Sequence, residues 1–187
     1  MSTFRRITSD ESSKLAITFS SQEAHVLINL TEQLLELLAE GDGQSHQVDP
    51  LLHLVGISSA DSLPEDPVLR RLLPNAYDDE RAAGEFRRYT ESTLRTKKYG
   101  HSMSMRVALK SSVDGIIELD HDGANDWLGA MNDIRLALGV RLQVEQTSHE
   151  ELELLSPDDP MRGVYAVYGW LGWLQESLIV ALMDEAI

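Results

Sequence analysis

SSQEAHVLINLTEQLLELLAEGDG, residues 20–43, carries a start signal, a period and a stop. Ser20 followed three residues later by Glu23 forms a capping box, in which each side chain satisfies the other's free backbone amide. Val26, Leu27, Leu30, Leu34, Leu37 and Leu38 then follow helical spacing, with His25, Asn29, Glu32 and Glu36 on the opposite face. Gly41-Asp42-Gly43 stops the run. The stretch predicts an amphipathic helix over 20–40, and such a helix needs other elements to cover its apolar face.

Upstream, residues 4–9 and 14–19 are short β-prone runs joined through Asp10, Glu11 and Ser12, which predicts a hairpin over 4–19. Downstream, Asp49-Pro50, Asp66-Pro67 and Asp159-Pro160 each read as a helix start. The aspartate accepts from free amides, and proline at the first helical position gives up no bond. The first two launch short helices over 51–55 and 68–73, and Pro74 ends the second. Residues 41–66 otherwise read as a flexible acidic connection.

A long helix is expected over 79–111, with Phe86, Thr90, Thr93 and Ala108 on the inward meridian, flanked by Tyr89 and Leu94, and the bases outward. Gly100 weakens the case for its continuity. Residues 116–119 are a third strand candidate, added to the hairpin. Asp120 caps a helix over 121–144 with Trp127, Met131, Ile134, Leu138 and Leu142 on its apolar face. The last helix, 160–184, is apolar nearly all round, so it is either central in the core or half of an oligomer interface. The sum is an α+β fold, mainly α, in a single domain over 1–187. A four-helix bundle-like core (20–40, 79–111, 121–144, 160–184) carries a small three-stranded antiparallel sheet at one end.

Composition narrows the function. The chain has no cysteine, which excludes disulfides, iron–sulfur clusters and thiol chemistry. No apolar run reaches the roughly 18 to 20 residues of a membrane span, so no crossing of a bilayer is expected, and no apolar stretch follows Arg5 and Arg6 as in a secretory signal. The cytoplasm is the expected address. The net charge of −15 opposes non-specific nucleic-acid binding. Residues 81–110 nevertheless hold eight bases and two acids, leaving the rest of the chain at −21.

Those bases, above all Arg87, Arg88, Arg95 and Lys98, are the candidate partner-binding residues. The competing reading is a solvated face, with Glu91 pairing to Arg87 and Arg95. Lys97 falls about 20° from Phe86 and Arg135 about 40° from Met131 at helical spacing. Both therefore break apolar faces. They are candidates for buried ion pairs with Glu176, with Gln175 beside it, or for a small anion site. No nucleotide-binding loop, nucleophile elbow or metal-ligand pair of histidines occurs, so no enzyme, catalytic residue, metal or cofactor is expected. The run from Asp120 to Asp126 is similar to a calcium loop, but Asn125 and Met131 stand where glycine and glutamate belong.

Several stretches together resemble an actinobacterial family, the domain of unknown function 2017. They are Asp66-Pro67-Val68-Leu69-Arg70-Arg71-Leu72-Leu73-Pro74-Asn75-Ala76-Tyr77, Glu85-Phe86-Arg87-Arg88, Asn132-Asp133-Ile134-Arg135-Leu136-Ala137-Leu138-Gly139 and residues 168–178. The resemblance implies a regulatory protein, with transcriptional or stress control as its field and gene neighbours that include an adaptor of the Clp protease. The thiol switch considered for relatives with paired cysteines cannot operate here. The expected function is a protein-interaction factor with a protein partner, and a homodimer through the Trp-rich C-terminal helix is a further expectation. The alternative is a DNA-binding transcriptional regulator using the basic helix 79–111. No membrane partner is expected.

Overall fold

A computed structural model describes residues 2–9, 12–40, 63–144, 156, 158–159 and 161–183. The expected helix over 51–55, the Asp49-Pro50 start and most of the 41–66 connection lie outside these residues. The order is β1 (Arg5–Ser9), β2 (Ser12–Thr18), α1 (Ser21–Glu40), α2 (Pro67–Leu72), α3 (Glu80–Ser111), β3 (Ile116–Leu119), α4 (His121–Arg141) and α5 (Met161–Met183).

The caps act as the sequence predicts. Ser20 N–H and Oγ–H donate to Glu23 Oε2, both at 2.8 Å, and Glu23 N–H returns a bond to Ser20 Oγ. Burial tends to raise the pKa of the Glu23 carboxyl, but these bonds and one from Ser2 outweigh it and hold it below its ordinary value. Asp66, Asp79 and Asp120 accept from the first free amides of α2, α3 and α4. Asp159 accepts from Met161 N–H at 2.8 Å at the start of α5. Helix α3 continues unbroken through Gly100. Helix α4 ends at Arg141, earlier than the expected 144, because Gln143 turns into the left-handed region at φ 51°.

The three strands form an antiparallel sheet in the order β1-β2-β3, with Leu15 opposite Leu119 and Ile17 opposite Ile117. Asp114 and Gly115 take positive φ before β3. Gly115 there approaches Phe19 so closely that a Cβ would strike the Phe19 carbonyl. Its own carbonyl accepts from Phe19 N–H at 2.9 Å, which ties the α1 entry to the sheet.

Sheet and helices share one apolar core centred on α4. Trp127 is fully buried, stacked on Phe19 with ring centroids 6.1 Å apart and edge-to-face with Phe4 at 6.0 Å. Helices α1 and α3 pack together and α4 packs on α1, α2, α3 and α5. Helix α5 has 23 residues and, by length and composition alone, is apolar enough to cross a membrane. Arg162 and Glu176 interrupt its apolar run, which is why the sequence predicts no span there. Here α5 buries Leu171, Leu174, Leu178 and Ala181 in the shared core.

Candidate functional site

The phase of α3 corrects the sequence reading. Its buried residues are Ala83, Gly84, Arg87, Glu91, Ser102, Met105 and Leu109. Phe86 and Tyr89, expected inward, are exposed, and Phe86 packs edge-to-face on Tyr77 at 5.6 Å outside the core. Apolarity alone put the aromatics inside. The inward stripe of the N-terminal half is instead polar and internally paired.

Arg87 and Glu91 expose only 5% and 8% of their side chains. Arg87 Nη1 donates to Glu91 Oε2 at 2.7 Å, and its Nη2 donates to Asn75 Oδ1 at 2.7 Å; both nitrogens also reach Leu73 O at 3.3 Å. Arg95 Nη2 donates to Glu91 Oε1 at 2.9 Å, and Nη1 to Leu38 O at 3.0 Å near the end of α1. One carboxylate thus holds two guanidiniums, and these clamp the 73–75 loop and the α1 C-terminus to α3. The i,i+4 pairs expected on a solvated face are present, but inside.

A turn further on, Lys98 Nζ donates to Asp133 Oδ1 of α4 at 2.5 Å. The Asp133 side chain is 3% exposed. Of the four candidate docking bases, Arg87, Arg95 and Lys98 are thus turned inward onto acids of the chain itself, and Arg88 alone faces solvent. At the far end Lys110 hydrogen-bonds Glu32 of α1 at 2.5 Å, which holds that carboxyl below its ordinary pKa. Asp133 escaped the sequence reading. Its one available signal is position, since Ala130 and Ala137 flank it at helical spacing and leave room for a lysine from a neighbouring helix.

Lys97, Arg135 and Glu176 are not brought together. Lys97 is exposed, contrary to its expected inward place, because the true inward phase passes through its neighbour Lys98. Arg135 is half-buried and donates from Nη1 to Gln175 Oε1 at 2.7 Å, with its guanidinium 5.3 Å from the Tyr168 ring centroid. Glu176 is exposed and lines a different groove. That groove, of about 300 Å³ between β1 and α5, is also lined by Phe4, Arg6, Trp173, Val180 and Ala181. Arg6 Nη2 donates to Ala181 O across it at 3.0 Å.

The groove opens onto the outward face of α5. Val180 is 54% and Met183 68% exposed, and Met161 and Ile179 are exposed as well, while Trp170 and Trp173 are half-buried. This helix holds only two charged residues, Arg162 and Glu176. Among the described residues no cluster of His, Asp or Glu could hold a metal ion. Asp120, the first position of the calcium-like run, accepts from Gly123 N–H at 2.8 Å as a helix cap.

Residues 1–182 match the model of a family described as a domain of unknown function, DUF2017. The chain is 32% identical to the "Oxidative stress regulator AosR" of Mycobacterium bovis, over 97% of this chain and 88% of that protein. It matches the protein of the same description from Mycobacterium tuberculosis (strain H37Rv) to the same extent. No solved structure matches.

Proposed function

This chain belongs to the domain-of-unknown-function 2017 family, and from that premise we propose that it is a regulatory protein that acts by protein–protein contact through the outward face of α5 and catalyses no reaction. The relatives described as oxidative stress regulators support the regulatory part. The contact surface rests on one observation, that α5 is largely apolar and, among the described residues, packs into the core on one side only. Exposed apolar surface of this kind is where proteins bind other proteins. The partner is a protein, met in the cytoplasm. On a molecule of charge −15, this face, where the exposed charges of α5 (Arg162 and Glu176) cancel, is also where a second copy can approach with little like-charge repulsion. Without its partner the chain pairs with itself as a homodimer.

The inward turn of Arg87, Arg95 and Lys98 argues against a direct role on DNA, because side chains largely buried and already bonded to carboxylates are not presented to a phosphate backbone. Titration onto a labelled random-sequence duplex at low salt tests this. The expected result is no binding tighter than about 10⁻⁴ M. Tighter binding that falls steeply as salt is added would favour the DNA-binding regulator.

A further inference from the structure

The cations of α3 that turn inward each meet an acid: Arg87 and Arg95 share Glu91, and Lys98 has Asp133. Arg135 does not. Its Nη1 meets the neutral amide oxygen of Gln175, and its Nε is buried without an acceptor. The guanidinium lies over the Tyr168 ring and against Gly172, where an added Cβ would come within 3.5 Å of Cζ. An aromatic face and a bare glycine fix the plane of the guanidinium but do not neutralise it.

Arg135 lines a cleft of about 450 Å³ formed by α2, the C-terminal half of α4 and α5. The second cation in that cleft is Arg71, exposed on the last turn of α2. Gln143 adds an amide at its edge, Gly139 and Val140 supply backbone and apolar wall, and among the described residues no carboxylate lines it. Among the described residues Arg71 and Arg135 have no acidic partner. That is a departure in a chain with 31 acidic and 16 basic residues. A partly buried charge without a counter-charge is unfavourable, and two in one cleft add mutual repulsion. An oxyanion between them relieves both costs.

We propose that this cleft is a binding site for a compact oxyanion, a phosphate or carboxylate group carried by a small effector, held between the guanidiniums of Arg135 and Arg71. Arginine suits this task, since its planar fork of donors matches two oxygens of such a group. An anion there bridges α2 to α4 and, through Tyr168 and Gln175, to α5. It thereby places a small-molecule site behind the helix whose other face is the proposed contact surface. The site does not depend on that surface being used, because its argument rests on the cleft alone.

Thermal unfolding of the full chain with inorganic phosphate, and separately with succinate, tests the site, since a ligand that binds the native state raises its melting temperature. Phosphate also stabilises proteins non-specifically, so wild type is compared with Arg71→Gln and with Arg88→Gln, which removes an exposed arginine outside the cleft. Wild type and Arg88→Gln should show the same concentration-dependent rise. Arg71→Gln, altered at an exposed side chain that holds nothing in the fold, should need about tenfold more anion for the same rise. A response to phosphate alone identifies a phosphate ligand, and a response to succinate alone identifies a carboxylate. Equal responses of all three proteins to both anions, or no response by any, would overturn the proposal.

Discussion

Replacing Glu91 with alanine is expected to cost about 3–5 kcal/mol of folding stability, the range for removing one partner of a buried ion pair. The loss is large because the carboxylate serves two guanidiniums at 2.7 and 2.9 Å. Its removal leaves both charges inside with only backbone carbonyls and Asn75 as acceptors. In urea, with a slope of about 1–3 kcal/mol per molar, the unfolding midpoint should fall by about 1–5 M. Replacing Arg87, Glu91 and Arg95 together by apolar residues of similar volume should cost far less, since it removes the desolvation burden along with the pairing. A triple variant as unstable as Glu91→Ala would show that shape at the α1–α3 seam, and not charge pairing, is what matters there.

Trp127→Ala is expected to destabilise by about 3–5 kcal/mol, the range for truncating a large core aromatic. Trp127 is fully buried where the sheet meets α4, and its ring contacts Phe4 before β1 and Phe19 after β2. The void would separate the sheet from the bundle, so near-ultraviolet circular dichroism should weaken along with the urea midpoint. Trp127 Nε1 is itself buried without an acceptor, so Trp127→Phe, which deletes that orphaned donor, should lose less than half as much. A midpoint unchanged in Trp127→Ala would contradict the placement of the core.

Most of the architecture is legible in the sequence because it is written in local signals. Ser20 with Glu23, and Asp66, Asp79, Asp120 and Asp159, mark helix starts by chemistry that acts within a few residues. The β-prone runs before Ser20 and after Gly115 mark the three strands, while the pairing of β3 with β2 is set by tertiary packing. The phase of α3 is not legible in this way. A stripe of Arg87, Glu91, Arg95 and Lys98 at helical spacing looks the same whether it faces water or a neighbouring helix, and the exposed Phe86 and Tyr89 made the wrong side look apolar.

The same ambiguity hid the fates of Lys97 and Lys98. They are adjacent in sequence and about 100° apart on the helix, so a phase error of more than a quarter turn exchanged the inward one for the exposed one. Asp133, which decides the matter, lies 35 residues from Lys98, beyond the reach of any local pattern. Arg135 was recognisable as a misplaced charge on an apolar face. Gln175, one of its two expected partners, is the one it meets; that Arg71 would share its cleft depended on how α2 and α5 close on α4.

The account turns on the outward face of α5 being a protein contact surface. Sedimentation equilibrium of wild type and Val180→Glu over a wide concentration range tests it directly. Val180 is more than half exposed, so the charge should leave the fold intact, and unchanged far-ultraviolet circular dichroism checks that. The account predicts a reversible dimer for wild type and a monomer for Val180→Glu. A wild type that stays monomeric at every concentration, or a Val180→Glu variant that dimerises equally well, would contradict it.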